Sequence, residues 1–81
     1  MKYILFIKAD CPFCVEAQNL LQEREMDFEI VNFEPEDARV LQEIKSAHEW
    51  QTVPMIFEKD REVIRFIGGY TDLVSLFSDD E

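Results

Sequence analysis

Glycine, cysteine and basic side chains are all scarce in this chain, and each scarcity removes a class of protein. Only two of its 81 residues are glycine, against seven phenylalanines, and apolar residues make up 47%. That balance argues for a packed globule and against a disordered segment. Eight Lys and Arg stand against 18 Asp and Glu, a formal charge of −10. Such a charge opposes general affinity for nucleic-acid phosphates. It reads as a solvated exterior or, alternatively, as a surface for a basic partner. No apolar run is long enough to span a bilayer. Met1-Lys2-Tyr3 runs directly into a strand-like segment without the apolar region and cleavage site of a signal peptide, so the expected location is the cytoplasm. No repeat is visible, and residues 1–81 are expected to form a single domain.

Cysteine occurs only at Cys11 and Cys14. A structural zinc site needs four ligands, and two thiols with one distant His48 do not supply them, so no metal is expected. A purely structural bridge across so short a loop removes little unfolded-state entropy. A half zinc site and two ordinary buried thiols remain the alternatives to a redox pair. Position favours the redox pair: the apolar run Tyr3-Ile4-Leu5-Phe6-Ile7 precedes the motif and helical periodicity follows it. A Cys-x-x-Cys in that setting is a thioredoxin-like signal. A cysteine at a helix N-terminus faces unsatisfied N–H groups and the positive end of the helix dipole, which favour the thiolate. Cys11 has that place, Cys14 lies inside the helix, and Pro12 is tolerated in its first turn. Lys8 is the nearest positive candidate, whereas adjacent Asp10 acts against the thiolate.

Residues 2 to 8 are apolar at nearly every position, as in a central strand buried on both faces. From Phe13 to about Arg24, Phe13, Ala17, Leu20 and Leu21 recur at i, i+4, i+7 and i+8, a helical stripe. Phe28-Glu29-Ile30 begins a second strand that continues through Val31 and Phe33. Pro35, with Glu36 and Asp37 in the first turn, announces a second helix whose buried side is Val40, Leu41, Ile44 and Ala47. This order favours a parallel strand pair joined by a crossover. Val53 to Phe57 and Val63 to Ile67 read as a hairpin across the charged stretch Glu58-Lys59-Asp60-Arg61-Glu62. Gly68-Gly69 breaks the strand, Leu73, Leu76 and Phe77 predict a short final helix, and the chain from Ser78 reads as a frayed polar end.

With that order laid out, Cys11-Pro12-Phe13-Cys14, Thr52-Val53-Pro54 and Gly68-Gly69-Tyr70-Thr71-Asp72 resemble the motifs of dithiol glutaredoxins, over essentially the whole chain. The resemblance implies an α/β, thioredoxin-like fold: a four-stranded mixed sheet flanked by three helices in the order β-α-β-α-β-β-α. It implies a cis Val53–Pro54 bond, with the Val53 backbone offered to a peptide as an added strand. It further implies a glutathione site formed by Lys8, Cys11, Gln51, Thr52, Val53, Pro54, Gly69, Tyr70, Thr71 and Asp72. There Asp72 meets the α-amino end, backbone N–H groups at Thr71 and Asp72 meet the adjoining carboxylate, and Lys8 meets the glycine carboxylate. Thr71 and Asp72 are also ordinary helix caps. Gln51 stands where some relatives carry a basic residue, while His48 and Trp50 have no assigned role. The activity implied is glutathione-dependent exchange on protein disulfides and glutathionylated proteins, with Cys11 as nucleophile and Cys14 as resolving thiol. The protein is expected to act as a monomer, and ribonucleotide reductase is one substrate the resemblance allows. The competing readings are a hydrogen donor recharged by thioredoxin reductase and a carrier of a glutathione-ligated [2Fe–2S] cluster. The Gly-Gly-x-Thr-Asp type of site counts against the first, and Pro12 against the second.

Overall fold

The computed structural model describes residues 1–78. Four strands form one sheet: β1 (Lys2–Lys8), β2 (Phe28–Phe33), β3 (Met55–Asp60) and β4 (Val63–Gly68), in the order β2-β1-β3-β4. β1 pairs parallel with β2 and antiparallel with β3, and β3 pairs antiparallel with β4. The helices are α1 (Pro12–Glu23), α2 (Ala38–Ala47) and α3 (Tyr70–Ser78), with a short 3₁₀ turn at Pro35–Asp37 before α2. This is the thioredoxin-like arrangement expected, with β1 central. Of the expected polar end, residues 79–81 lie outside the described residues, and Ser78 closes α3 by donating its hydroxyl to the Val74 carbonyl at 2.9 Å.

Because side chains of a strand alternate between faces, β1 serves two cores. Tyr3 and Leu5 pack with Ala17 and Leu21 of α1 and with Leu73 and Phe77 of α3. Ile4 and Phe6 point the other way, toward Leu41 of α2 and a cluster containing Phe33, Phe57 and Phe66. A strand with a core on each side must be apolar nearly throughout, which accounts for the run at residues 3–7.

Three expectations are corrected. Phe13 is 58% exposed, and the buried line of α1 is Cys14, Ala17 and Leu21. The first turn of α1 projects past the end of the sheet, so its apolar ring becomes rim while the second thiol faces the core. On α2, Val40 is 52% exposed and Ala47 is exposed, whereas Leu41 is buried and Ile44 and Lys45 are half-buried. The aromatic side chains Phe6, Phe33, Phe57 and Phe66 share that core with Leu41, so α2 buries only a narrow stripe centred on Leu41. Finally, β3 starts after Pro54 and runs to Asp60, leaving only Arg61-Glu62 as the turn. Glu58 and Lys59 are tolerated in the strand because they pair across the antiparallel ladder with Arg65 and Ile64, and the Glu58 carboxylate accepts from Arg65 at 2.8 Å. Among the described residues no helix is long and apolar enough to cross a membrane.

Candidate active site

The central strand β1 ends at Lys8, and Ala9-Asp10 turns the chain into α1 with Asp10 at φ 58°. Cys11 follows as the N-cap residue, with extended φ −117° and ψ 98°, and Pro12 opens the helix. The Cys11 Sγ takes the cap's acceptor role, receiving the Cys14 backbone N–H at 3.2 Å. The same N–H also bonds the Cys11 carbonyl at 3.1 Å, and a sulfur that shares a helix N-terminal donor in this way is stabilised as an anion. Cys11 and Cys14 are joined as a disulfide, with Cα atoms 5.2 Å apart. Their surroundings differ: Cys11 is partly exposed and Cys14 only 1% exposed. On its open side the Cys11 Sγ lies 3.7 Å from the Val53 carbonyl oxygen.

Val53 belongs to the segment before β3, and the Val53–Pro54 bond is cis. From there opens a groove of about 280 Å³, with Thr52, Val53 and Pro54 on one wall and Gly69, Tyr70, Thr71 and Asp72 on the other; neither cysteine lines it, and Val53 joins it to the Cys11 sulfur. The second wall is the start of α3. There the Asp72 Oδ2 accepts the Gly69 N–H at 2.9 Å, the return half of a capping box. Gly68 permits this turn, because its φ is +128° and any Cβ would collide with the Asp72 carboxylate. Asp72 is therefore a cap, and its exposed position leaves acceptor capacity facing the groove.

Two groove residues were missed or misread from the sequence. Phe13 stacks on Tyr70 with ring centroids 5.9 Å apart and planes inclined by 27°, closing the end next to the disulfide. Trp50 lines the floor: its Cζ2 would lie 3.4 Å from a Cβ on Gly69, and it packs edge-on against Phe66. Its buried Nε1 has no hydrogen-bond partner among the described residues. The Trp50 position depends on the end of α2, where the Glu49 φ of 52° and a Trp50 N–H to Lys45 carbonyl bond of 2.8 Å turn the chain back. A glycine at residue 49 would have signalled that turn; a glutamate did not. His48 is exposed, and its ring sits against Phe57 and Phe66, away from the disulfide motif.

Lys8 and Gln51 do not join this groove. Lys8 lines a separate and larger concavity of about 550 Å³ between the ends of β1 and β2 and α2. Gln51 is exposed and lines neither. Among the described residues no cluster of three or more His, Cys, Asp or Glu side chains is placed to hold a metal. The arrangement is thus an accessible sulfur at a helix N-terminus, a second sulfur shielded behind it, and a groove beside both. Its chemistry is thiol–disulfide exchange.

Residues 3–63 match the glutaredoxin family model. The chain is 33% identical over 79 residues to glutaredoxin 1 of Rickettsia typhi, covering 94% of this chain and 70% of that protein. A dithiolic glutaredoxin of Trypanosoma brucei brucei, solved in solution, is 32% identical, with a TM-score of 0.76 over 98% of this chain and 79% of its own. A buckwheat glutaredoxin solved as a glutathione complex shares the fold at a TM-score of 0.82 and 18% identity, over 96% of this chain and 69% of that one.

Proposed function

The chain belongs to the glutaredoxin family and is a thiol–disulfide oxidoreductase by that membership; on this premise we propose that glutathione is its reductant and that glutathionylated proteins and protein disulfides are its substrates. The observation that carries the reading is the groove beside Cys11, walled by Thr52-Val53-Pro54 and by the start of α3 at Thr71-Asp72. It offers backbone groups for a peptide, helix N–H groups for a carboxylate and the Asp72 carboxylate for an α-ammonium. The buckwheat relative holding glutathione is consistent with a tripeptide ligand on this fold.

In the proposed cycle the Cys11 thiolate attacks the glutathione sulfur of a mixed disulfide. A Cys11–glutathione bond forms as the substrate thiolate leaves with the bonding pair. A second glutathione thiolate then attacks that sulfur, giving glutathione disulfide and regenerating Cys11. With a protein disulfide, Cys11 first forms a mixed disulfide with one substrate cysteine. Cys14 attacks Cys11, the substrate leaves reduced, and two glutathiones reduce the resulting bridge. The rate depends on the thiolate fraction at Cys11 and on the acidity of the leaving thiol. We place this activity in the cytoplasm, where the glutathione pool keeps thiols reduced, with the monomer as the active unit.

The test is NADPH consumption with glutathione and glutathione reductase, run beside thioredoxin reductase. The account expects turnover of a glutathione mixed disulfide only in the first arm. Turnover sustained by thioredoxin reductase alone would assign the protein a different electron donor.

A further inference from the structure

The first turns of α1 carry apolar side chains that the fold leaves open to solvent. Pro12, Phe13 and Val15 are all exposed, Phe13 at 58% and Val15 at 53%, and they follow directly on the partly exposed Cys11. Tyr70 extends this surface from α3 by stacking on Phe13. The fold does not need it: the buried line of α1 is Cys14, Ala17 and Leu21, and Phe13 and Val15 belong to neither core. An apolar surface left open beside a reacting sulfur marks a contact with another molecule.

Charge selects the occupant. Asp10 precedes Cys11, Glu16 follows Val15, and both are exposed without an ion pair among the described residues. The cations stand elsewhere. Lys8 and Lys45 line the concavity toward α2, where Asp10 and Glu34 balance them, and Lys2, Lys59 and Arg61 border another with Asp27 at the opposite end of β1. Arg39 and Arg65 are paired with Glu43 and Glu58. A second copy of the chain would bring the same acids, and the same charge of −10, against this surface, and like charges facing one another suppress association. A polypeptide with basic side chains beside its cysteine meets attraction instead.

We infer that the exposed first turns of α1 are a docking surface for protein substrates whose reacting cysteine is flanked by basic and apolar residues. The inference rests on the reading above that glutathionylated proteins are substrates, and it names the class of protein this surface selects. The apolar flank covers Val15 and Phe13, and the basic flank stands against Asp10 and Glu16. The surface engages the protein half of the mixed disulfide, while the groove holds the glutathione half. In the step itself Cys11 takes the glutathione sulfur, and the protein thiolate leaves with the bonding pair. A basic flank also stabilises that thiolate whatever the attacking thiol, so this intrinsic part has to be divided out.

The experiment is single-turnover release of the peptide thiol from three glutathionylated peptides by the reduced protein. Their cysteines are flanked by Lys and Leu, by Glu and Leu, or by Lys and Ser. Each rate is divided by that of the same peptide with free glutathione, which removes the acidity of the leaving thiol. The wild type is expected to favour the Lys-Leu peptide about tenfold over Glu-Leu and about threefold over Lys-Ser. The first ratio is expected to approach unity in about 1 M salt, where the screening length is about 3 Å. Asp10→Asn with Glu16→Gln is expected to cut it to about twofold. Glu23→Gln with Glu25→Gln removes the same charge at the far end of α1 and is expected to keep it. Val15→Ser is expected to abolish the preference for Leu over Ser. A Lys-to-Glu ratio that falls equally in both charge variants, or in neither, overturns the surface, as does a Leu-to-Ser ratio unchanged in Val15→Ser. Sedimentation is expected to give a monomer; a dimer that Val15→Ser dissociates assigns the surface to a second copy and overturns the inference. A wild type that accelerates none of the peptides over free glutathione overturns the glutathione reading itself.

Discussion

At the scale of single residues, the two sulfurs of one tetrapeptide are made unequal by burial. Cys11 caps α1 at its open end, and Cys14, three residues on, faces the core at 1% exposure. An incoming disulfide therefore meets Cys11, and Cys14 reacts only with what Cys11 carries. Cys11→Ser is expected to reduce exchange to the uncatalysed level with every substrate. Cys14→Ser is expected to keep turnover of glutathione mixed disulfides and lose that of protein disulfides. The glutathione-coupled assay on both substrate types checks this, and equal loss in the two variants would contradict the division of labour. The residues that perform chemistry were legible because their types state it: Cys11 and Cys14, Thr52-Val53-Pro54, and Thr71-Asp72 were found as motifs, the last two line one groove, and the Cys11 sulfur meets it at the Val53 carbonyl. Phe13 and Trp50 were not, since an aromatic side chain announces apolarity but not which end of the fold it borders.

At the scale of elements, the shortage of glycine has a structural consequence. Among the described residues, four that are not glycine occupy the left-handed region: Asp10, Glu25, Glu49 and Arg61. Glu25 follows α1, where Met26 N–H bonds the Leu21 carbonyl at 3.0 Å and Glu25 N–H bonds the Gln22 carbonyl at 3.1 Å. Glu49 follows α2 in the same pattern. Both are Schellman ends, at the position where glycine is favoured. A left-handed residue with a Cβ costs roughly 1–2 kcal/mol, and the added unfolded-state freedom of glycine takes back about 0.4–1 kcal/mol. Glu25→Gly and Glu49→Gly are therefore each expected to raise stability by about 0.5–1 kcal/mol, read as a higher urea midpoint at constant slope. A lower midpoint in both would contradict the assignment of these helix ends. The same residues explain what was hard to read. β1, β2 and α1 show themselves through long periodic runs, whereas a helix stop written with glutamate and a two-residue turn written Arg61-Glu62 carry no local signal.

At the scale of the whole molecule, the net charge and the local field at Cys11 act in opposite directions. A charge of −10 disfavours one more anion anywhere on the surface. Most of it is screened, since the Debye length at physiological salt is about 8 Å. Against it stand the α1 N-terminus, worth about 0.3–2 kcal/mol to an anion, and the Cys14 N–H, worth about 1.5–3 kcal/mol to a charged acceptor. Together these favour the Cys11 thiolate over the thiol, while the Val53 carbonyl at 3.7 Å opposes them in part. The account's central claim is that the local field wins, and the alkylation rate of Cys11 against pH in the Cys14→Ser variant tests it directly. The predicted midpoint lies below the value of roughly 8.5 for free cysteine. A midpoint at or above that of free cysteine would contradict the claim.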